Sequence, residues 1–209
     1  VDCQPAGKRI IKVQGLNSGY SSNASFEITG GITSVAPGAG PIGTKITVFG
    51  AGFGAEEKVK IDLGNISNIA EVTSNKQGEF TASFAVLSQA SGAKTIMATG
   101  LKSRQIGMDR FVVTPIITLI SPIEGYVGTK VRIEGNGFAS SESIRIDLNR
   151  SMGIGRGEAD VMGRLVIEFI VDAQSGDKLS RIGIIGRESR RPCYIDTFKI
   201  LSKIDKIEP

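Results

Sequence analysis

The sequence predicts an all-β protein built from tandem immunoglobulin-like Greek-key β-sandwiches of about 85 residues each. First, the 209-residue chain matches itself when it is shifted by 85 residues, so that Gly52 and Phe53 fall on Gly137 and Phe138. Second, aliphatic residues alternate with polar ones in KITVFG and KVKIDLG, and again in KVRIEG and SIRIDLN, as in strands with one buried face. Third, the 27 glycines follow no collagen-like register, which is typical of many tight turns between short strands.

Each repeat is predicted to contain about seven strands, separated by turn signals. A strand ending in proline leads to a Gly-Thr turn, a strand ending in Gly-x-Gly-Phe and a strand through Ile-Asp-Leu. A weaker strand follows, then an alternating strand with Phe80, Ala82, Phe84 and Val86 in the first repeat, and two closing strands. The chain has no tryptophan and no cysteine pair within a repeat, so phenylalanine and aliphatic side chains must form the core.

The repeat alignment also predicts domain limits. AGKRIIKVQGLNS at residues 6–18 aligns with SGAKTIMATGLKS at residues 91–103, and IDKIEP at the other end aligns with ITSVAP. The predicted segments are residues 1–31, closing strands of a preceding repeat or strands that complete a sandwich with the next segment; residues 32–115 and 116–203, one sandwich each; and residues 204–209, the start of a following repeat. We expect a piece of a longer array, with a stiff junction near Pro115 that favours an extended rod.

The charge pattern argues against a nucleic acid partner, and the hydropathy pattern argues against a membrane span in this segment. The net charge of +4 is spread thinly along the chain and forms no basic stripe. No apolar stretch reaches the ~18 residues that a membrane span needs. The densest basic cluster consists of Arg187, Arg190 and Arg191 with Glu188 inside it. We interpret this cluster as a solvated loop, with a contact to an anion or a partner as the alternative.

Residues for catalysis are largely missing. The chain contains no histidine, which excludes Ser-His-Asp and Cys-His catalysis and histidine metal sites. Cys3 and Cys193 lie in different repeats, so we predict no disulfide within a domain, with a bond to a segment outside this chain as the alternative. GAGFGA has no following helix and is not a dinucleotide-binding loop. GIGRG at residues 153–157 is interpreted as a turn whose glycines and Arg156 could cradle an anion.

Carboxylates recur near one predicted sheet edge. Asp62 and Asp147 occupy the same repeat position, and Glu56, Glu57 and Glu142 lie upstream of them. Calcium needs six to eight converging oxygens, usually with Asp-x-Asp spacing, and this spacing is absent. We therefore predict exposed charges that protect a sheet edge from aggregation, with a calcium site as the alternative.

Three Asn-x-Ser/Thr sequons begin at Asn23, Asn65 and Asn149. These positions are predicted to be turns that could carry N-linked sugar if the protein is secreted by an organism with N-glycosylation.

The strings PGAGPIGTKITVFGAGFGAEEKVKIDLG and PIEGYVGTKVRIEGNGFASSESIRIDLN resemble the IPT/TIG type of immunoglobulin-like domain. The resemblance covers the first half of both repeats closely, and the second half by strand pattern alone. Domains of this family occur in bacterial surface and surface-layer-like proteins, adhesins, accessory modules of secreted polysaccharide-acting enzymes, plexin-type receptors and Rel-type transcription factors. The resemblance implies a structural role for the shared glycines and for one core phenylalanine in each repeat: Gly43, Gly50, Gly52 and Phe53, and Gly128, Gly135, Gly137 and Phe138.

From these features we expect a non-enzymatic structural segment of an extracellular repeat protein, most concretely a surface-layer or cell-envelope protein without a cofactor. It would act through domain spacing and through contacts with copies of itself or with other surface proteins and glycans. The alternative is an adhesin or a carbohydrate-binding accessory module of a secreted protein. Such a module usually stacks sugars on exposed aromatic rings, and the chain offers three tyrosines for this purpose, Tyr20, Tyr126 and Tyr194.

Overall fold

The computed structural model describes residues 3–172, 179–187 and 192–202, and this part of the chain contains strands and no helix. The strands are β1 (Gly7–Gln14), β2 (Ser21–Ile28), β3 (Gly31–Ala36), β4 (Ala39–Gly40), β5 (Lys45–Ala51), β6 (Lys58–Leu63), β7 (Ile66–Thr73), β8 (Phe80–Ala85), β9 (Gly92–Gly100), β10 (Ile106–Val113), β11 (Ile116–Ser121), β12 (Glu124–Gly125), β13 (Lys130–Asn136), β14 (Ser143–Leu148), β15 (Ser151–Glu158), β16 (Leu165–Ile170), β17 (Leu179–Gly186) and β18 (Cys193–Ile200). None of the described segments forms a helix that is long and apolar enough to cross a membrane.

Five sheets contain these strands, and four of them form two matching pairs. In the first pair, β3, β5 and β8 form one sheet and β4, β10, β9, β6 and β7 the other, in these orders. In the second pair the orders are β11, β13 and β16, and β12, β18, β17, β14 and β15. The fifth sheet is the hairpin of β1 and β2.

This strand order is that of an immunoglobulin-like sandwich. In that fold the first, second and fifth strands share one sheet, and the third, sixth and seventh share the other. Strands β3, β5 and β8 match the first set and β6, β9 and β10 the second, with β7 added at the edge. The short strands β4 and β12 pair in parallel with β10 and β18 just after the cis prolines Pro37 and Pro122. The predicted fold class is therefore confirmed.

The chain divides into two compact units. The first comprises Val1–Gly38, Lys45–Ala85 and Ala93–Phe111, and the second Ala39–Thr44, Val86–Gly92 and Val112–Pro209. These units are discontinuous in sequence, and the predicted limits 32–115 and 116–203 remain a prediction. Residues 204–209 lie outside the described residues.

The core of the second unit takes side chains from both of its sheets. Ile133 on β13 and Phe169 on β16 belong to the same buried cluster as Ile146 on β14, Ile184 on β17 and Phe198 on β18. A buried side chain of this size contributes roughly 1.5–3 kcal/mol through the hydrophobic effect. Phe53 and Phe138 are fully buried, as the repeat alignment predicts for one core aromatic per repeat.

The Gly-x-Gly-Phe loop depends on its second glycine. Gly52 and Gly137 have φ angles of 74° and 72°, which disfavour any residue with a Cβ. A Cβ on Gly137 would also lie 2.6 Å from the carbonyl oxygen of Thr114. The loop can therefore form only with glycine at this position.

The structure contradicts the prediction that GIGRG is a turn, because residues 153–157 lie within strand β15. The glycines allow this strand to approach β16 closely. A Cβ on Gly155 would lie 2.9 Å from Cβ of Phe169, and a Cβ on Gly157 would lie 2.6 Å from Cγ1 of Ile167. Close packing, and not turn formation, therefore explains the glycines.

Candidate functional site

Arginines meet on one face of the second unit, at the edge of its five-stranded sheet. Strand β14 is antiparallel to the edge strand β15, in a register that places Arg145 directly opposite Arg156. Like charges opposite each other destabilise a sheet unless another group neutralises them. Arg145 forms an ion pair with Asp147, so within the described residues Arg156 is the member of the pair whose charge has no ion-pair partner.

The two arginine side chains also run close to each other. A Cβ added to Gly153 would lie 3.7 Å from Nη2 of Arg156 and 3.9 Å from Cδ of Arg145. Glycine at this position keeps the space beside both side chains open. Arg145 is held by Asp147, whose Oδ2 accepts a hydrogen bond from Nη2 at 2.9 Å, while Oδ1 accepts one from the Gly153 N–H at 2.8 Å.

The face forms an open cleft of about 520 Å³ that is lined by Ser143, Ile144, Arg145, Arg156, Gly157, Ile185 and Arg187. Arg187 is exposed and follows β17, the strand on the other side of β14. Within the described residues, neither Arg156 nor Arg187 forms an ion pair. Nε of Arg145 is buried and has no hydrogen-bond partner there. The cleft thus offers guanidinium donors that lack an acceptor.

The same sheet position in the first unit carries a different charge pattern. Lys60 on β6 lies opposite Glu71 on β7, so an attractive pair replaces the repulsive one. Glu71 also forms an ion pair with Lys58 at 2.7 Å, and Lys60 forms one with Asp62 at 3.1 Å. At these four positions the charges of the first unit cancel, whereas their counterparts in the second unit leave an excess of one positive charge.

Planar guanidinium groups bind carboxylate, sulfate and phosphate through paired hydrogen bonds. An oxyanion in the cleft would accept hydrogen bonds from Arg156 and Arg187 and screen Arg156 from Arg145. The arrangement can therefore bind an anionic group.

A larger cleft of about 670 Å³ lies in the first unit. It is lined by Cys3, Thr33, Phe49, Gly50, Ala51, Thr73, Asn75, Glu79, Phe80 and Thr81. Hydrogen bonds from the Cys3 thiol and the Asn75 amide lower the pKa of Glu79, which stays a carboxylate at neutral pH. This cleft has no basic side chain and no converging set of charged groups, so we consider it secondary to the arginine cleft.

The prediction that the recurring carboxylates are exposed is wrong for Glu57 and Glu142, which are both buried. Glu57 Oε2 accepts hydrogen bonds from the N–H groups of Lys102 and Ser103, each at 2.8 Å. Glu142 Oε2 accepts one from the Ala139 N–H at 2.9 Å. These carboxylates close loops by satisfying backbone donors, which is why their burial is tolerated.

Glu57 remains ionised despite its burial. Burial on its own raises the pKa of this carboxyl group. Hydrogen bonds from Ser103, Gly54 and Lys102 to the charged form outweigh that effect, so the pKa of Glu57 is lowered overall.

Asp62 and Asp147 act locally in the same way, since each accepts a backbone N–H, from Asn68 and Gly153 respectively. Across residues 3–172, 179–187 and 192–202, no three His, Cys, Asp or Glu side chains are grouped so that they could hold a metal ion.

The other sequence-predicted site residues do not converge. The prediction of a turn is wrong for Asn23, which is exposed within strand β2 and pairs with Lys12, whereas Asn65 is exposed in the turn after β6. Asn149 follows β14 and uses its amide, because Nδ2 donates to Ser180 Oγ and Oδ1 accepts from the Arg181 N–H, both at 3.0 Å. The tyrosines are exposed on separate elements: Tyr20 before β2, Tyr126 after β12 and Tyr194 on β18.

The cysteines lie in different units, and neither forms a disulfide within the described part of the chain. Burial raises the pKa of the Cys193 thiol. That thiol donates to the Pro115 carbonyl at 3.6 Å.

Sequence reasoning found part of the arginine cleft. For Arg156, in a predicted turn, and for Arg187, in a predicted solvated loop, an anion contact was only the alternative interpretation, and Arg145 was not singled out. The missing signal was available in the repeat alignment. Arg145 falls on Lys60 and Arg156 on Glu71, so the reversal of one charge marks the position. Glu188, Arg190 and Arg191 lie outside the described residues.

No protein-family model matches the chain, and no curated protein does. The solved structures to which the chain is similar include bacterial adhesins and an invasin. A tetra-tandem repeat from the extending region of a large adhesion protein has 13% identity and a TM-score of 0.39, with 91% of this chain and 55% of that chain covered. Invasin, described as a bacterial integrin-binding protein, has 13% identity and a TM-score of 0.38, with 80% and 39% covered.

A Ca²⁺-stabilised adhesin with which an Antarctic bacterium binds ice has 11% identity and a TM-score of 0.32, with 95% of this chain and 57% of that chain covered. The chain therefore spans only about 40–60% of the length of these proteins. The similarity is low, and the fold assignment above depends on the strand order instead.

Proposed function

We propose that the chain is an adhesin-type segment of an extracellular repeat protein. In this proposal its sandwiches act as structural spacers, and its second unit binds anionic groups of a surface polymer. The segment would work at the cell surface without catalysing a reaction. The likeness to adhesin repeats agrees with this role and does not carry it.

The observation that carries the binding proposal is the opposition of Arg145 and Arg156 across β14 and β15. A fold without an anionic partner gains nothing from this pair, and the first unit shows that the same position accepts an attractive pair. Arg187 adds a third guanidinium group to the cleft. Carboxylate or sulfate groups on a polysaccharide supply the complementary charge with the required planar or tetrahedral oxygens.

The test is calorimetric titration of the full chain with a heparin dodecasaccharide, which carries sulfates and carboxylates, and with a neutral dextran oligosaccharide of the same length. We expect binding of the heparin probe alone. Arg156→Gln should weaken it at least tenfold, which corresponds to ~1.4 kcal/mol.

The matched control is Arg110→Gln, which removes the same charge from an exposed position on β10. This variant should bind within twofold of the unaltered chain. Equal losses for both variants would show that net charge alone attracts the probe, and an unchanged affinity of Arg156→Gln would remove the cleft from the account.

A surface-layer protein of the IPT/TIG type is the more specific form of the proposal. Its support is the strand pattern shared by both repeats and the resemblance of their first halves. The partners would be other copies of the protein or neighbouring surface glycans. Immunogold labelling of thin sections of the source cells would test it: dense, even label on the outermost envelope supports a layer, and sparse label favours an isolated adhesin.

Glycosylation is proposed at Asn23 and Asn65, whose side chains are exposed. Asn149 is a poorer acceptor because its Nδ2 donates to Ser180 Oγ. Intact mass of protein from the source cells, with and without a glycosidase, tests this proposal.

A further inference from the structure

The hairpin of β1 and β2 exposes a face that is core elsewhere in the chain. Within the described residues, β1 and β2 pair only with each other. Ile11 and Val13 on β1 are 51% and 65% exposed, and Phe26 on β2 is 42% exposed. Their counterparts 85 residues later are Ile96, Ala98 and Phe111, which are all 0% exposed. The hairpin thus has the apolar face of a closing hairpin, without the sheet that normally covers it.

These residues do form one face. The register of the hairpin pairs Ile11 with Ala24, Val13 with Ser22 and Arg9 with Phe26. Residues that are paired, or two positions apart, point to the same side of a sheet. Ile11, Val13 and Phe26 therefore lie together on one side, as their counterparts do in the core.

The edge of β1 that faces away from β2 has no partner strand within the described residues, whereas the equivalent edge of β9 pairs with β6. The Gly15 N–H donates to the Tyr20 carbonyl, and the Gly100 N–H to the Gln105 carbonyl, both at 2.9 Å. Equivalent residues therefore form the hydrogen bonds between the strands in the hairpin of β1 and β2 and in that of β9 and β10. The other edge of β9 pairs with β6, and there the Thr95 carbonyl accepts from the Gly64 N–H at 2.8 Å.

This shared hydrogen-bond pattern identifies the backbone groups of β1 that need a partner. In an antiparallel strand, alternate residues direct both their N–H and C=O groups to the same edge. Residues 95, 97 and 99 face β6, and residues 10, 12 and 14 are their counterparts. The N–H and C=O groups of Ile10, Lys12 and Gln14 therefore point outward from the hairpin, away from β2.

The segment leading into the hairpin is attached as its counterpart is. In the first unit the Ala6 N–H donates to the Phe53 carbonyl at 2.8 Å, and in the second the Ser91 N–H donates to the Phe138 carbonyl at 2.8 Å. A glycine leaves room for each segment, because a Cβ on Gly78 would lie 2.9 Å from Cα of Pro5, and a Cβ on Gly163 would lie 3.0 Å from Cα of Ala90. The segment that leads into β1 is thus attached in the same way as the segment that joins β8 to β9.

We infer that the hairpin closes a further sandwich of the same repeat, placed before it in the same polypeptide, and that β1 receives a strand of the Ile-Asp-Leu type along its open edge. That strand would lie as β6 lies on β9. Asp62 of β6 is opposite Met97, whose counterpart in the hairpin is Lys12. The aspartate of the incoming strand would therefore face a lysine, which is a favourable cross-strand pair. This inference is independent of the arginine cleft.

Amide hydrogen exchange tests the inference on the full chain and on an extended chain. In the extended chain, an additional copy of residues 31–90 replaces residues 1–5 and runs directly into Ala6, which restores the repeat register. The inference predicts that the amides of Ile10, Lys12 and Gln14 exchange at least a hundredfold more slowly in the extended chain. The alternate amides of Ile11 and Val13, which already face β2, should gain less.

The control is the same extension with the residues equivalent to 58–64 replaced by glycine and serine, which removes the incoming strand. It should leave the three outward amides as exposed as in the unextended chain. Two results would overturn the inference. One is unchanged exchange of these amides in the extended chain. The other is protection in the unextended chain that grows with protein concentration and accompanies a dimer in sedimentation, because a second copy would then cover the hairpin.

Discussion

The edge of the five-stranded sheet differs between the two units while its frame is the same. Strands β6 and β14 both end in Ile-Asp-Leu, and both pair with an edge strand in the same register. On the first of these edges Lys60 faces Glu71, and on the second Arg145 faces Arg156. Positions that are equal in both units serve the fold. The position where the charge reverses is where we place the function.

The two units are most alike where the loop at Phe53 contacts the turn at Gly78 and where the loop at Phe138 contacts the turn at Gly163. The Phe53 N–H donates to the Gly78 carbonyl at 3.0 Å, and the Phe138 N–H to the Gly163 carbonyl at 3.1 Å. Both glycines have φ angles near +74°. If substitution of these two glycines changed the stability of the two units by different amounts, the positions that are equal in both units would not all serve the fold in the same way.

We expect the strongest destabilisation from substitutions at this contact between the two loops. Gly78→Ala and Gly163→Ala each place a methyl group against a phenylalanine carbonyl oxygen at a positive φ. We expect each to lower the free energy of unfolding of its unit by about 3 kcal/mol, since strain and clash add. Urea denaturation measures this effect. Gly38→Ala, with open space around it and no positive φ, is the control. A Gly163→Ala protein as stable as the control would contradict a common frame.

The next effect concerns the buried carboxylate of the first unit. Glu57→Gln should lower the free energy of unfolding by about 2 kcal/mol, because hydrogen bonds to a charged acceptor are lost. Glu56→Gln, at the neighbouring exposed position, should change it little. Thermal unfolding at neutral pH distinguishes the two.

The same residue gives a pH dependence with a defined sign. The pKa of Glu57 is lower in the folded state than in the unfolded chain. Its stabilising contribution is therefore complete above the ordinary carboxyl pKa and is lost as the pH falls through the lowered value. The stability difference between the unaltered chain and Glu57→Gln should shrink in acid. A difference that grows on acidification would contradict the assignment.

The smallest expected effect addresses the charge reversal itself. Without an anion, Arg156→Glu should raise the stability of the second unit by roughly 0.5–1 kcal/mol, because an attractive pair replaces a repulsive one. Glu71→Arg should lower that of the first unit by a similar amount. Chemical denaturation at low salt measures both changes, and high salt should reduce them. Destabilisation by Arg156→Glu would mean that the arginine pair is already neutralised within the fold.

Much of the fold could be predicted from the sequence because strands with one buried face alternate with period two. Phe80, Ala82 and Phe84 follow this rule and are buried as expected. The turn predicted at residues 153–157 was wrong, because glycine occurs both in turns and where two strands approach closely. The prediction for Glu57 was also wrong, because a buried glutamate is recognised only by the backbone donors that surround it. The arginine cleft required the strand register, which brings Arg145 and Arg156 together from eleven positions apart.

We propose that the charged edge of the second unit binds anions and that the corresponding edge of the first does not. The most direct measurement is an NMR titration of the full chain, labelled with ¹⁵N at arginine, with the heparin dodecasaccharide. We predict that the Nε–Hε signals of Arg145, Arg156 and Arg187 shift with one common affinity, while those of Arg104, Arg110 and Arg132 stay in place. Equal shifts of all six signals, or shifts confined to the last three, would contradict the account.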